Sequence, residues 1–222
     1  MAFRDRFEAG QFLAEKLEYY RDRSDVVILA LPRGGVPVAF EVAKALHAPL
    51  DIFLVRKLGL PGHKELAMGA IASGGVRVLN HDVIDQLRIP DWMIQQVAEE
   101  ELTELNRRER EYRGERAPLE VRDRTVVIID DGLATGSTMR AAARALYAQD
   151  PKRIVVAVPV AAPSTCEEFR DEVDETVCAI TPERFYAVGM WYEDFGQTSD
   201  EEVKALLKEA ASWTNNAVQA HQ

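Results

Sequence analysis

Residues 126–138, VVIIDDGLATGST, decide how this chain is read. Four β-favouring apolar residues run into the adjacent acids Asp130 and Asp131. A turn of glycines and small hydroxyl residues follows, and an alanine-rich helix begins at about Met139. The pattern is a buried parallel strand that ends on acid and opens onto a helix N-terminus. Gly132 and Gly136 permit sharp turns that aim successive N–H groups into one concavity, and the positive end of the helix dipole makes that concavity an anion site. Thr135, Ser137 and Thr138 add hydroxyl donors suited to a phosphate monoester. Asp130 and Asp131 are acceptors for vicinal hydroxyls or ligands for a hard cation such as Mg2+. Phosphate, diol and metal in one loop describe a sugar phosphate. A P-loop is excluded, because no G-x-x-x-x-G-K-[ST] occurs and no lysine lies in the turn. An ordinary capped turn is disfavoured, since adjacent acids at the end of a buried strand are costly without a ligand.

Working outward, residues 26–31 predict a strand that leads through Pro32-Arg33-Gly34-Gly35 into a helix over 38–46, with a second strand at 51–55. This βαβ unit implies a parallel sheet with a right-handed crossover. Ligands of open α/β sheets sit outside the carboxyl ends of the strands, so the PRGG turn and the Asp130 loop are expected to share one crevice. Arg33 offers a planar fork for phosphate oxygens, and Gly34 and Gly35 let backbone N–H groups approach a ligand.

At these two stretches the chain resembles the type I phosphoribosyltransferases. The signature of that family is an apolar strand, two acidic residues and a small-residue T-G loop, matched here over thirteen residues. The resemblance implies that Asp130, Asp131, Gly132, Ala134, Thr135, Gly136, Ser137 and Thr138 hold the ribose 5-phosphate of phosphoribosyl pyrophosphate (PRPP), with Mg2+ at Asp130 and Asp131. It also implies that Arg33, Gly34 and Gly35 form the pyrophosphate loop, in which the peptide next to the glycine is often cis. Residues 56–65, RKLGLPGHKE, are similar to the flexible loop of adenine and xanthine enzymes: Arg56 and Lys57 would contact pyrophosphate and Lys64 would close over it. His63 reads as a solvated loop tip, and Glu65 as a second-choice Mg2+ or base contact. Asp130, Asp131, Arg33 and Lys57 are the catalytic candidates. By likeness to the family's hood and to a subgroup carrying V-G-x-W-Y-x-D-F, Phe185, Val188 and Trp191 would neighbour the acceptor, although a packing role for these aromatics is equally consistent with the sequence. Ala134 departs from the hypoxanthine-guanine enzymes, which carry aspartate there, so adenine or another heterocycle stays open. The implied activity is transfer of ribose 5-phosphate from PRPP to a nitrogen heterocycle in nucleotide salvage. The alternative is a PRPP-binding regulator without transfer. A PRPP synthetase is disfavoured because those proteins pair two such domains.

Asp91 is expected to cap a helix from Trp92, with Ile94, Ala98, Leu102 and Leu105 as a narrow apolar stripe. Dense mixed charge follows, with Glu104–Arg108 and Glu109–Arg113 at the i,i+4 spacing. Residues 81–118 therefore read as a helical insertion that projects and offers a surface for self-association into a homo-oligomer. Arg107, Arg108 and Arg110 are placed on its solvated, salt-bridged face in preference to the alternative that they reach substrate or RNA. Strands are expected at 152–160 and 176–180, and a capping box at Ser164 and Glu167 starts a helix to about Glu172. A further strand is expected at 68–72 or 76–79. An amphipathic helix at 8–21 opens the chain. Ser199 and Glu202 cap the last helix, with Val203, Leu206, Leu207 and Ala210 inward and residues 214–222 frayed.

The fold class is therefore α/β, a doubly wound, mostly parallel sheet with a small C-terminal hood over 176–198 and the helical insertion, read as a single domain over 1–222. The 222 residues are 47% hydrophobic with a formal net charge of −10. Such acidity disfavours a nucleic-acid partner, and no apolar run is long enough to span a membrane. Small-molecule substrates and a cytoplasmic location are expected. Cys166 and Cys178 lack metal spacing and read as buried free thiols.

Overall fold

The computed structural model describes residues 2–219, except the side chains of 64, 65 and 214–219. Its centre is a five-stranded parallel sheet formed, from one edge to the other, by β2 (Leu50–Ile52), β1 (Val26–Ala30), β6 (Thr125–Ile129), β7 (Arg153–Val160) and β8 (Glu175–Ile180). The near-continuous apolar runs arise because both faces are covered. Val26, Ile28, Val127, Ile129, Val155 and Ala157 face a core closed by α1 (Arg6–Lys16), α2 (Gly35–Leu46) and α7 (Asp200–Gln219). Val27, Leu29, Val126, Ile128, Ile154 and Val156 face α5 (Ser137–Tyr147) and α6 (Pro163–Phe169). The period of two places neighbours in sequence on opposite faces. β1 and β6 run side by side, with Ile28 opposite Val127 and Ala30 opposite Ile129.

Several expectations are corrected. Residues 175–180, counted with the hood, form the fifth strand of the main sheet. Residues 68–72 and 76–79 instead belong to a separate antiparallel sheet of β3 (Val55–Leu60), β4 (His63–Ala72) and β5 (Val76–Leu79). The expected flexible loop is thus a hairpin: Leu60 pairs with His63 across Pro61 and Gly62, whose positive φ of 81° makes the reversal. The insertion does not project. After α3 (His81–Leu87), α4 (Asp91–Arg113) packs on β3, β4 and α7. Ile94, Ala98 and Leu105 are buried, as their spacing predicts, and Arg113 is buried too, bonded to both Asp51 carboxylate oxygens at 2.8 and 2.9 Å and to the Ile52 carbonyl oxygen at 2.8 Å. The i,i+4 spacing to Glu109 gives no sign of this burial, because the long-range partner of Arg113 lies on β2. Both i,i+4 pairs of α4 form.

Asp91 is the first residue of α4 rather than its cap, and Pro90 supplies the extended entry. Pro163, with φ set for a first helical position, starts α6 after Ala162, so Ser164 does not cap it and the helix ends at Phe169. The first helix starts at Arg6, where the Asp5 side chain accepts from the Glu8 N–H, and a short 3-10 turn over Glu18–Tyr20 follows it. α2 begins at Gly35, three residues earlier than read. Ser199 Oγ accepts from the Glu202 N–H at 3.1 Å. α7 continues to Gln219, and residues 220–222 of the expected frayed end lie outside the described residues. Cys166 and Cys178 are not free thiols but a disulfide: α6 returns directly into β8 and brings the two Cα atoms to 6.4 Å. Among the described residues, no helix is long and apolar enough to cross a membrane.

Candidate active site

Because β1 and β6 are neighbours, the PRGG turn and the Asp130 loop leave the sheet side by side, as expected for strand-end loops. Contact between them is close. A Cβ on Gly34 would lie 2.1 Å from Asp131 Oδ2, and one on Gly35 would lie 2.7 Å from the Ile129 carbonyl oxygen. These glycines therefore admit the acidic pair to the N-terminus of α2. The cis peptide lies between Pro32 and Arg33, one bond before the position the resemblance suggests.

The two carboxylates have different surroundings. Asp130 Oδ1 accepts from the Asp131 N–H at 2.8 Å. Asp131 Oδ2 accepts from Arg6 Nε at 2.9 Å, while Arg6 Nη1 donates to the Gly196 carbonyl at 2.7 Å and its guanidinium stacks 4.0 Å from the Phe195 ring centre. Tyr192 Oη donates to the Asp131 carbonyl oxygen at 2.6 Å. Burial raises the proton affinity of Asp130 well above the ordinary carboxylate range, and the charge of Asp131 raises it further. Burial also raises Asp131, opposed by the bond to Arg6. Burial and then the charge of Asp131 push the Tyr192 phenol up. One guanidinium thus serves two carboxyls, and a hard cation or ribose hydroxyls would relieve the remainder.

Beyond the acids, the loop is pinned from behind by its carbonyls. Ala162 N–H donates to the Leu133 oxygen at 3.0 Å, Thr165 Oγ1 to the Ala134 oxygen at 2.6 Å and Arg140 Nη1 to the Thr135 oxygen at 2.8 Å. In a trans peptide the following N–H points the opposite way, so the N–H groups of Ala134, Thr135 and Gly136 face away from these anchors. Gly136, at φ 70°, leads into α5, and a Cβ there would meet Phe169 at 2.5 Å. Thr135 Oγ1 and Ser137 Oγ lie 3.2 Å apart. The loop is thus fixed at the N-terminus of α5, where helix geometry leaves unpaired N–H donors.

Lys57 lies on β3 and faces a cavity of about 680 Å3 between the three-stranded sheet and α5, which Ser137 and Thr138 also line. Arg33 and Arg56 line a smaller cleft of about 140 Å3 that also reaches Thr138. Arg33 Nη1 is 3.8 Å from Asp200 Oδ1, and Arg56 pairs with Glu101. The Lys64 and Glu65 side chains lie outside the described residues. Val188 closes on the loop, since a Cβ on Gly132 would stand 2.6 Å from Val188 Cγ1. Phe185 and Trp191 pack with Phe3 and Tyr192, and the Trp191 carbonyl accepts from the Phe3 N–H. Sequence reasoning missed Arg6, Thr165, Arg140 and Tyr192. Arg140 and Arg144 are the cations of an otherwise small-residue helix, which was a readable signal; Arg6 gave none.

A parallel sheet whose adjoining strand ends carry an acidic pair and open onto helix N-termini is the architecture of the phosphoribosyltransferases. The phosphoribosyl transferase domain model matches residues 6–190, and the chain belongs to that family. Two Mycobacterium tuberculosis proteins, from strains CDC 1551 and H37Rv and provisionally named phosphoribosyl transferases, are 47% identical over 208 residues, 94% of this chain and 47% of each relative. The chain thus spans about half the length of these relatives. The crystal structure of TT1426 from Thermus thermophilus is 43% identical, covers 94% of this chain and 99% of that one, and superposes with a TM-score of 0.82.

Proposed function

We propose that this domain transfers ribose 5-phosphate from PRPP to a ring nitrogen of a heterocycle, releasing pyrophosphate. The observation that carries the reading is the placement of the Asp130–Asp131 pair at the start of a loop whose Leu133, Ala134 and Thr135 carbonyls are pinned and which opens onto the N-terminus of α5. The 5-phosphate is assigned to the amides of this loop and to the Thr135, Ser137 and Thr138 hydroxyls, and the ribose hydroxyls to the carboxylates. Asp130 and Asp131 fit Mg2+, which is commonly held by one or two carboxylates together with substrate phosphates. No group of three or more His, Cys, Asp or Glu forms a ready-made metal site among the described residues, so the ion belongs with the donor. When bound, it would neutralise charge on the departing diphosphate.

The chain's own groups do the rest. Positive charge grows on the ribose as the anomeric C–O bond breaks, and the two carboxylates stabilise it electrostatically. Arg6 holds Asp131 in place. Arg33, with Gly34, Gly35, Arg56 and Lys64, is assigned to the pyrophosphate, and Lys57 is proposed to reach it from the larger cavity, which shares Thr138 with the cleft of Arg33 and Arg56. The acceptor gives its ring N–H proton to solvent and uses the freed nitrogen lone pair to form the new N–C bond as the C–O bond to pyrophosphate breaks, so a heterocycle that ionises easily needs no general base. Phe185, Val188 and Trp191 are proposed to border it, because Val188 packs directly on the Asp130 loop. This reading assigns the domain to nucleotide salvage in the cytoplasm.

Isothermal titration with PRPP and Mg2+ tests the reading. Binding is expected, and Asp130→Asn with Asp131→Asn should weaken it strongly; equal binding by the double variant would refute the site. Pyrophosphate release is then screened across nucleobases and other nitrogen heterocycles. Tight PRPP binding with no release across the panel would assign the domain to regulation instead.

A further inference from the structure

We infer that α4 supplies a third arginine, Arg108, to the pyrophosphate subsite; this rests on the PRPP reading. The cleft of about 140 Å3 beside the PRGG turn is lined by Arg33, Arg56 and Arg108, from the β1–α2 turn, β3 and α4 respectively. Tyr112, one helical turn after Arg108, and Thr138 of the phosphate loop complete its polar rim. Among the described residues no acid lines it, although the chain carries 37 Asp and Glu against 27 Lys and Arg. The acids that pair with the arginines are outside the lining: Glu104 accepts from Arg108 Nε at 2.8 Å, Glu101 pairs with Arg56, and Asp200 Oδ1 lies 3.8 Å from Arg33 Nη1. Tyr112 Oη donates to Asp200 Oδ1 at 2.5 Å, which fixes the carboxylate facing Arg33.

Three forked donors bordering one small cleft, with no acid among its described lining residues, suit a compact polyanion such as a diphosphate. The cleft adjoins the cradle through Thr138, as a donor carrying phosphate at one end and diphosphate at the other requires. Arg107 is the internal control. It is the preceding residue on α4, yet it pairs with Glu104 and Glu111 on the outer face and does not line the cleft.

The test is titration of the full chain with PRPP, and separately with inorganic pyrophosphate, both with Mg2+ at low salt. Arg108→Ala is expected to weaken both by about 10- to 100-fold, the loss of a charge-assisted contact. Arg108→Lys should fall between, because a point charge replaces the fork. Arg107→Ala should bind within about twofold of the unaltered protein. Circular dichroism confirms folding, and Arg108→Lys serves if the alanine variant does not fold. Unchanged binding by the Arg108 variants overturns this inference and leaves the PRPP reading standing. Failure of the unaltered protein to bind either ligand overturns both.

Discussion

Arg6→Met is the substitution that most directly probes how the acidic pair is held. It removes the guanidinium from Asp131 and keeps an apolar stem against Phe195. At 2.9 Å the gross attraction is about 6 kcal/mol at an effective dielectric of about 20. The side chains are only 11% and 15% exposed, near the regime in which removing one partner costs about 3–5 kcal/mol, because a charge is left uncompensated. The crevice admits some water, so a loss of about 3 kcal/mol is expected. The mechanism can be isolated. In an Asp131→Asn background the stranded charge is gone, and Arg6→Met should cost only about 1 kcal/mol, for the Gly196 and Phe195 contacts. Urea unfolding of the four proteins near pH 7.5 measures a coupling of about 2 kcal/mol. Burial already raises Asp131 with Arg6 present, so the cost of Arg6→Met should shrink as the pH falls and Asp131 takes up a proton. Coupling below about 0.5 kcal/mol, or a cost independent of pH, would refute the account.

Other consequences follow from the same geometry. Asp130→Asn should stabilise the ligand-free protein at pH 8 while weakening PRPP binding. The raised proton affinity of Asp130 makes its contribution fully favourable only below the ordinary carboxylate range, and that contribution is lost as pH rises through the raised value. Melting curves should show the gap closing toward about pH 4; a gap as large there would contradict the burial argument. Gly34→Ala places a carbon 2.1 Å from Asp131 Oδ2 and should destabilise by about 1–3 kcal/mol through overpacking, with loss of PRPP binding in titration. Arg140→Met frees the Thr135 carbonyl and should raise the PRPP KM about tenfold, whereas Arg122→Met, whose guanidinium pairs with Asp150 and lines neither cleft, should leave it near the original value. Equal KM for the two variants would show that pinning the carbonyls does not matter.

The two strand-end motifs were legible because their signals are local. Apolar runs of five or so residues, paired acids and glycine turns state their backbone geometry within a dozen positions, and the rules of parallel sheets place their ends in one crevice. The i,i+4 ion pairs and the buried stripe of α4 were legible for the same reason. What the sequence could not express was the choice of distant partners. Arg6 reaches Asp131 across 125 positions, Arg113 finds Asp51 across 62, and the hairpin over 55–72 joins a second sheet only because α4 and α5 receive it. Cys166 and Cys178 meet because α6 turns back into β8. Periodicity and turn chemistry act over a few residues, so they settled the strands of the parallel sheet and the turns that leave β1 and β6. Ion pairing and burial depend on which surfaces the folded chain brings together, so only the tertiary structure decided which cations face the acids and which face the cleft.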